Sequence, residues 1–90
     1  MNEKLLERKL REAVKRKGGE ALKLYSAYHT GMPDRLVLMP GGKASFAEIK
    51  TTGRKPTALQ EKAMGRLRAM GFKAEVVDTQ EALDEFLGGL

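Results

Sequence analysis

Apolar residues recur along this chain with two different periods, and the switches between them divide it into elements. Leu6, Leu10, Ala13, Val14 and Lys17 fall on one side at about 100° per residue, which predicts a helix over 3–17 ended by Gly18-Gly19. The segment LKLYSAY, 22–28, alternates and contains tyrosines, which predicts a strand. His29 to Pro33 reads as a loop. RLVLM (35–39) and KASFAEIK (43–50) read as two strands joined through Pro40-Gly41-Gly42, a hairpin signal. A polar, basic loop over 51–55 leads into a second helix, 56–70, where Thr57 and Gln60 have capping-box spacing and Gly71 marks the stop. FKAEVVD, 72–78, reads as a strand, and Thr79 caps a last helix with apolar Leu83, Phe86 and Leu87. The predicted order is α-β-β-β-α-β-α, an α/β fold with a mixed sheet flanked by helices.

Ninety residues predict one domain, 1–90, with a modest core. There is no cysteine, so disulfides cannot supplement that core. No apolar run is long enough to span a bilayer, and the basic N-terminal segment lacks the apolar stretch of a signal peptide. The expectation is a soluble cytoplasmic protein without a membrane partner. Charge adds a direction. The chain carries 17 Lys+Arg against 12 Asp+Glu, a net of +5. All residues from Glu75 onward are acidic or neutral, so the excess of base is concentrated in 1–74, a distribution that suits a polyanion such as nucleic acid.

Within this basic chain, three charged residues interrupt the apolar hairpin: Asp34, Glu48 and Lys50. Alternation puts Glu48 and Lys50 on one face of their strand together with Phe46. A three-residue loop at 40–42 predicts a register with 39 opposite 43 and 38 opposite 44, which brings Asp34 opposite Glu48. A two-residue turn would separate them onto opposite faces. Two carboxylates at that spacing repel unless a divalent cation lies between them, and carboxylates suit Mg²⁺. Lys50, two residues on, could reach a phosphate or an attacking water. A cation with a supporting lysine is the equipment of phosphodiester hydrolysis.

Pro33-Asp34 followed by Glu48-Ile49-Lys50 resembles the signature of the PD-(D/E)XK nucleases. The longer string, GMPDRLVL, then FAEIKT, then KPTALQ, resembles the VRR-NUC branch of that superfamily, small stand-alone phage-type members included. The likeness runs from Glu7 through the strand at 72–78. It implies a restriction-endonuclease-like core and a Mg²⁺- or Mn²⁺-dependent endonuclease acting on DNA, branched structures such as Holliday junctions among the substrates. It further implies that Asp34 and Glu48 hold the metal, that the Ile49 backbone carbonyl adds a ligand, that Lys50 positions water, that Glu7 contributes indirectly, and that Gln60 lines the site. The cellular setting it implies is a bacterial or phage-infected cytoplasm.

Each of these residues also has a plainer reading. Glu7 lies at the edge of the apolar stripe of its helix, where it could reach inward, but it could equally pair with Arg11 at i,i+4. Glu3, one turn earlier, has nearly the same direction. Gln60 could serve only the capping box. Tyr25 reads as a core residue, and Lys23 as a residue of the first strand facing the cleft. Thr51, Thr52, Arg54 and Lys55 form the candidate DNA-binding surface, because a basic loop before a helix N-terminus suits phosphate, and His29 and Lys23 are counted with them as candidate DNA contacts. A chain this small would gain grip as a homodimer. The alternative of a different class is a nucleic-acid-binding module, or an accessory subunit, that retains the fold without the chemistry.

Overall fold

The computed structural model describes residues 1–25 and 31–90. Helix α1 (Glu3–Arg16) opens on Asn2, whose side-chain oxygen accepts from the Leu5 N–H at 2.8 Å. Lys17 is its C-cap and is exposed, so the helix stops one residue short of the predicted end and Lys17 stays out of the core. Gly18, at φ +86°, turns the chain directly into β1 (Glu20–Lys23). Strand β2 (Arg35–Met39) and strand β3 (Lys43–Ile49) form the expected hairpin. Helix α2 (Ala58–Ala69), strand β4 (Lys73–Val77) and helix α3 (Gln80–Gly88) follow, each within two residues of its expected bounds.

The sheet order is β1-β2-β3-β4, with β1, β2 and β3 antiparallel and β4 parallel to β3. The order α-β-β-β-α-β-α and the mixed sheet are those the sequence predicts.

The first strand differs from its expected position. Among the described residues it runs over 20–23, starting two residues before the expected 22–28, because the pairing is limited by β2; residues 26–28 of the expected strand lie outside the described residues. Glu20 stands opposite Leu38 and Lys23 opposite Arg35, and one further bond joins the Leu24 N–H to the Asp34 carbonyl. The Asp34 N–H, which would return a bond to Leu24 in a continued ladder, goes instead to Glu48 Oε1. Tyr25 is 80% exposed, not a core residue.

Alternation divides the sheet into two faces. Val37, Ala47, Ile49 and Val77 point to one side and pack against Leu6, Leu10 and Val14 of α1 and Leu83 and Phe86 of α3. Phe46, Ala74 and Val76 point to the other, against Met64 and Leu67 of α2. Phe46 meets Phe72 edge-on, with ring centroids 5.7 Å apart. Among the described residues, no helix is long and apolar enough to cross a membrane.

Candidate active site

The hairpin register places Met39 opposite Lys43, Leu38 opposite Ala44 and Arg35 opposite Ala47. One step further, Asp34 and Glu48 meet at the end of the sheet. The three-residue loop with positive φ at Gly41 and Gly42 produces this register, since those two conformations are open to glycine.

The two acidic residues interlock through the backbone. The Asp34 N–H donates to Glu48 Oε1 at 3.2 Å, and Asp34 Oδ1 accepts from the Ile49 N–H at 3.0 Å. Glu48 is only 3% exposed. Its other oxygen, Oε2, accepts from Gln60 Nε2 at 3.0 Å and lies 3.1 Å from Lys50 Nζ. Asp34, Glu48, Lys50 and Gln60 are therefore brought together at one point, on the α2 side of the sheet.

Gln60 performs both of its candidate structural roles. Its Oε1 accepts from the Thr57 N–H at 2.9 Å while the Thr57 hydroxyl accepts from the Gln60 N–H at 3.2 Å, a complete capping box. With the amide oxygen fixed, the amide nitrogen is turned to Glu48. The approach of the 31–34 turn to α2 depends on Gly31. It sits at φ +88°, and a Cβ there would lie 2.6 Å from the Leu59 carbonyl.

The electrostatics of the pair are unfavourable by themselves. Burial pushes the Asp34 carboxyl up from its ordinary range, the charges of Glu7 and Glu3 add to this, and the Ile49 N–H opposes it. Burial likewise pushes Glu48 up, with the Asp34 charge second, while Lys50 pulls it down. Two carboxyl groups that each resist ionisation, with one lysine between them and solvent, are a donor set that a divalent cation would stabilise. Among the described residues, no third acidic or histidine side chain joins them in a metal-holding cluster. The donor set thus suits a hard cation that retains several waters, as Mg²⁺ does. Ile49 directs its N–H toward Asp34, and in a strand the carbonyl of the same residue faces the same way, which puts that oxygen on the Asp34 side.

Glu7 is near but differently engaged. Its partner is Arg35, with Glu7 Oε2 3.6 Å from Arg35 Nη2, and not Arg11. Lys23 stands opposite Arg35, on the α1 side of the sheet, with its ammonium 5.7 Å from the Tyr25 ring centroid. It does not face Glu48, contrary to the expectation that it turns to the cleft. Thr51, Arg54 and Lys55 are exposed on the loop after β3. The Thr52 hydroxyl is occupied: it donates to the Asp78 carbonyl and accepts from the Met1 amino group. It clamps the loop instead of presenting a free donor. His29 lies outside the described residues.

Sequence reasoning missed Arg35. It is 8% exposed, and its Nη1 donates to the Ala21 carbonyl at 3.3 Å, while its Nε has no partner among the described residues. The signal was its parity: an odd-numbered residue of β2 points to the same face as Val37, into the core.

Residues 1–81 match the VRR-NUC domain family. The chain is 41% identical over 81 residues to a protein of Acyrthosiphon pisum secondary endosymbiont phage 1 named "Putative nuclease p44", covering 90% of this chain and 87% of that one. It is also similar to a solved structure titled "VRR_NUC domain", with TM-score 0.87, 29% identity, and coverage of 96% of this chain and 94% of the other.

Proposed function

The chain belongs to the VRR-NUC family, and from that premise we propose that it is a single-domain endonuclease, 1–90, which hydrolyses DNA phosphodiester bonds with Mg²⁺ or Mn²⁺ held at Asp34 and Glu48. The observation that carries the reading is the interlocked pair itself: Asp34 N–H on Glu48 Oε1, Ile49 N–H on Asp34 Oδ1, and a 3% exposed glutamate at the end of a sheet. Burying two like charges together is a standing cost, and it has a purpose if a cation binds there.

Asp34, Glu48 and the Ile49 carbonyl would hold the ion. When bound, it supplies Lewis-acid stabilisation of the phosphate and lowers the pKa of water. The protein's own residues do the rest. Gln60 fixes Glu48 Oε2, so the carboxylate presents a constant geometry. Lys50, 3.1 Å from the same oxygen, is placed to turn its ammonium toward an attacking water or a phosphate oxygen. Glu7 acts at a remove, through its negative field at Asp34. Thr51, Arg54 and Lys55 offer exposed polar and basic groups to the DNA backbone beside the site.

We extend the proposal to branched DNA as the preferred substrate and to a homodimer as the working form. Supporting the dimer, α2 leaves part of its face of the sheet uncovered: Leu22 is 42%, Leu38 37% and Phe72 40% exposed around Phe46. Light scattering that gives only monomer at high concentration, with and without DNA, overturns the dimer.

The activity is tested with a panel of labelled branched and linear DNAs incubated with Mg²⁺, Mn²⁺ or EDTA. Metal-dependent cleavage, fastest on branched DNA, is expected. An inert protein in every condition contradicts the nuclease reading.

A further inference from the structure

Helix α1 carries a row of four exposed cations. Lys4, Arg8, Arg11 and Lys15 are spaced 4, 3 and 4 residues apart, which sets them within about 60° of one another on the helix. All four are exposed, and among the described residues none has an ion pair or side-chain hydrogen bond. Two adjoining grooves run along this row: one lined by Lys4, Glu7, Arg8 and Arg11, the next by Arg11, Lys15 and the edge-strand residues Glu20 and Ala21.

One acid spaced to pair with the row is diverted. Glu7 stands four residues before Arg11, the usual helical ion-pair spacing. Its carboxylate goes instead to Arg35, which is buried under α1 and anchored on the Ala21 carbonyl. Arg35 thereby takes this carboxylate from Arg11, which has no ion pair among the described residues. Lys9 of the same helix is used differently: its ammonium donates to Gln80 of α3 at 2.7 Å. Of the remaining acids of α1, Glu3 lies about 80° or more from every member of the row, and Glu12, four residues after Arg8 and about 40° from it, makes no ion pair with the row among the described residues.

From these contacts we infer that the α1 row, Lys4, Arg8, Arg11 and Lys15, is a second nucleic-acid contact surface that tracks one phosphate backbone leading away from the carboxylate pair. The inference rests on the nuclease reading and adds the path of the substrate to it. The row adjoins the site through Glu7, which lines the first groove and whose carboxylate lies 3.6 Å from Arg35, the neighbour of Asp34 in the chain. Lys4 to Lys15 spans about 16 Å at 1.5 Å per residue, the length of about five phosphates of one strand along a duplex axis. Lysine and arginine side chains along one helix face suit contact with phosphate oxygens.

The test is DNA affinity in EDTA, where no cleavage occurs, measured as a function of salt for duplex and branched DNA. Arg8→Gln combined with Arg11→Gln is expected to weaken binding about tenfold at moderate salt and to reduce the slope of log K against log salt by about 2. Arg8→Lys with Arg11→Lys restores the slope. Lys62→Gln with Arg66→Gln, on the outer side of α2, leaves affinity within about twofold and controls for net charge. Circular dichroism establishes that each variant is folded, as expected for exposed positions. If the parent cuts DNA and the Arg8/Arg11 double variant binds with the parental affinity and slope, the row is not a contact surface and the nuclease reading stands. If the parent binds no DNA at any salt, both fall.

Discussion

Gln60 holds Glu48 with its amide nitrogen, 3.0 Å from Oε2, while its amide oxygen closes the N-terminal cap of α2. One side chain therefore ties a helix end to a buried carboxylate on the sheet. Two variants separate these functions. Thr57→Ala removes the hydroxyl acceptor and is expected to lower stability by about 1 kcal/mol with little loss of cleavage. Gln60→Glu retains a capping oxygen but sets a third carboxyl against Glu48. It should lower the cleavage rate by about tenfold or more at a smaller stability cost. Melting curves beside single-turnover rates check both.

Asp34→Asn is expected to abolish metal-dependent cleavage and, without metal, to stabilise the fold. Asparagine retains an oxygen for the Ile49 N–H but removes the charge that raises Glu48. The gain should be about 1 kcal/mol, or about 4–8 °C in melting temperature for a domain of this size.

The pH dependence follows from the same pair. Both carboxyl groups titrate higher in the folded protein than in the unfolded chain, chiefly through burial. The folded state therefore binds more protons in the window between the raised and the ordinary values, and stability rises as pH falls through that window. The metal-free parent should melt higher on mild acidification than at neutral pH, and the slope should flatten in Asp34→Asn. Saturating Mg²⁺ should raise the neutral-pH melting temperature and reverse the trend, because acid then releases the ion.

Gly31→Ala tests the seat of the 31–34 turn. The new Cβ meets the Leu59 carbonyl at 2.6 Å, in a backbone conformation that L side chains rarely adopt. The expected loss is about 2 kcal/mol or more. Metal affinity, read by calorimetry on the folded fraction, should fall with it, since Asp34 is carried on that turn.

Much of this site could be read from the chain because it depends on local rules. Asp34, Glu48 and Lys50 share a face by strand parity, and their meeting needed only the length of the 40–42 loop, which Gly41 and Gly42 announce. Thr57 and Gln60 stand at capping-box spacing. What escaped depends on tertiary partners. The first strand starts at Glu20 because β2 dictates where pairing begins and ends, and no periodicity within 20–28 carries that information. Glu7 turns to Arg35 and not to Arg11 because a buried guanidinium under α1 competes with a solvated one on its surface. Thr52 reads as a phosphate donor in a basic loop, yet Asp78 and Met1 take both sides of its hydroxyl.

The most direct test of the carboxylate pair as a metal-dependent hydrolytic centre is cleavage of a labelled branched DNA by the parent and by Glu48→Gln, each with Mg²⁺, with Mn²⁺ and with EDTA. The expected result is cutting by the parent in either metal, none in EDTA, and none by the folded Glu48→Gln protein. Cutting by Glu48→Gln at the parental rate, or undiminished cutting by the parent in EDTA, would contradict it.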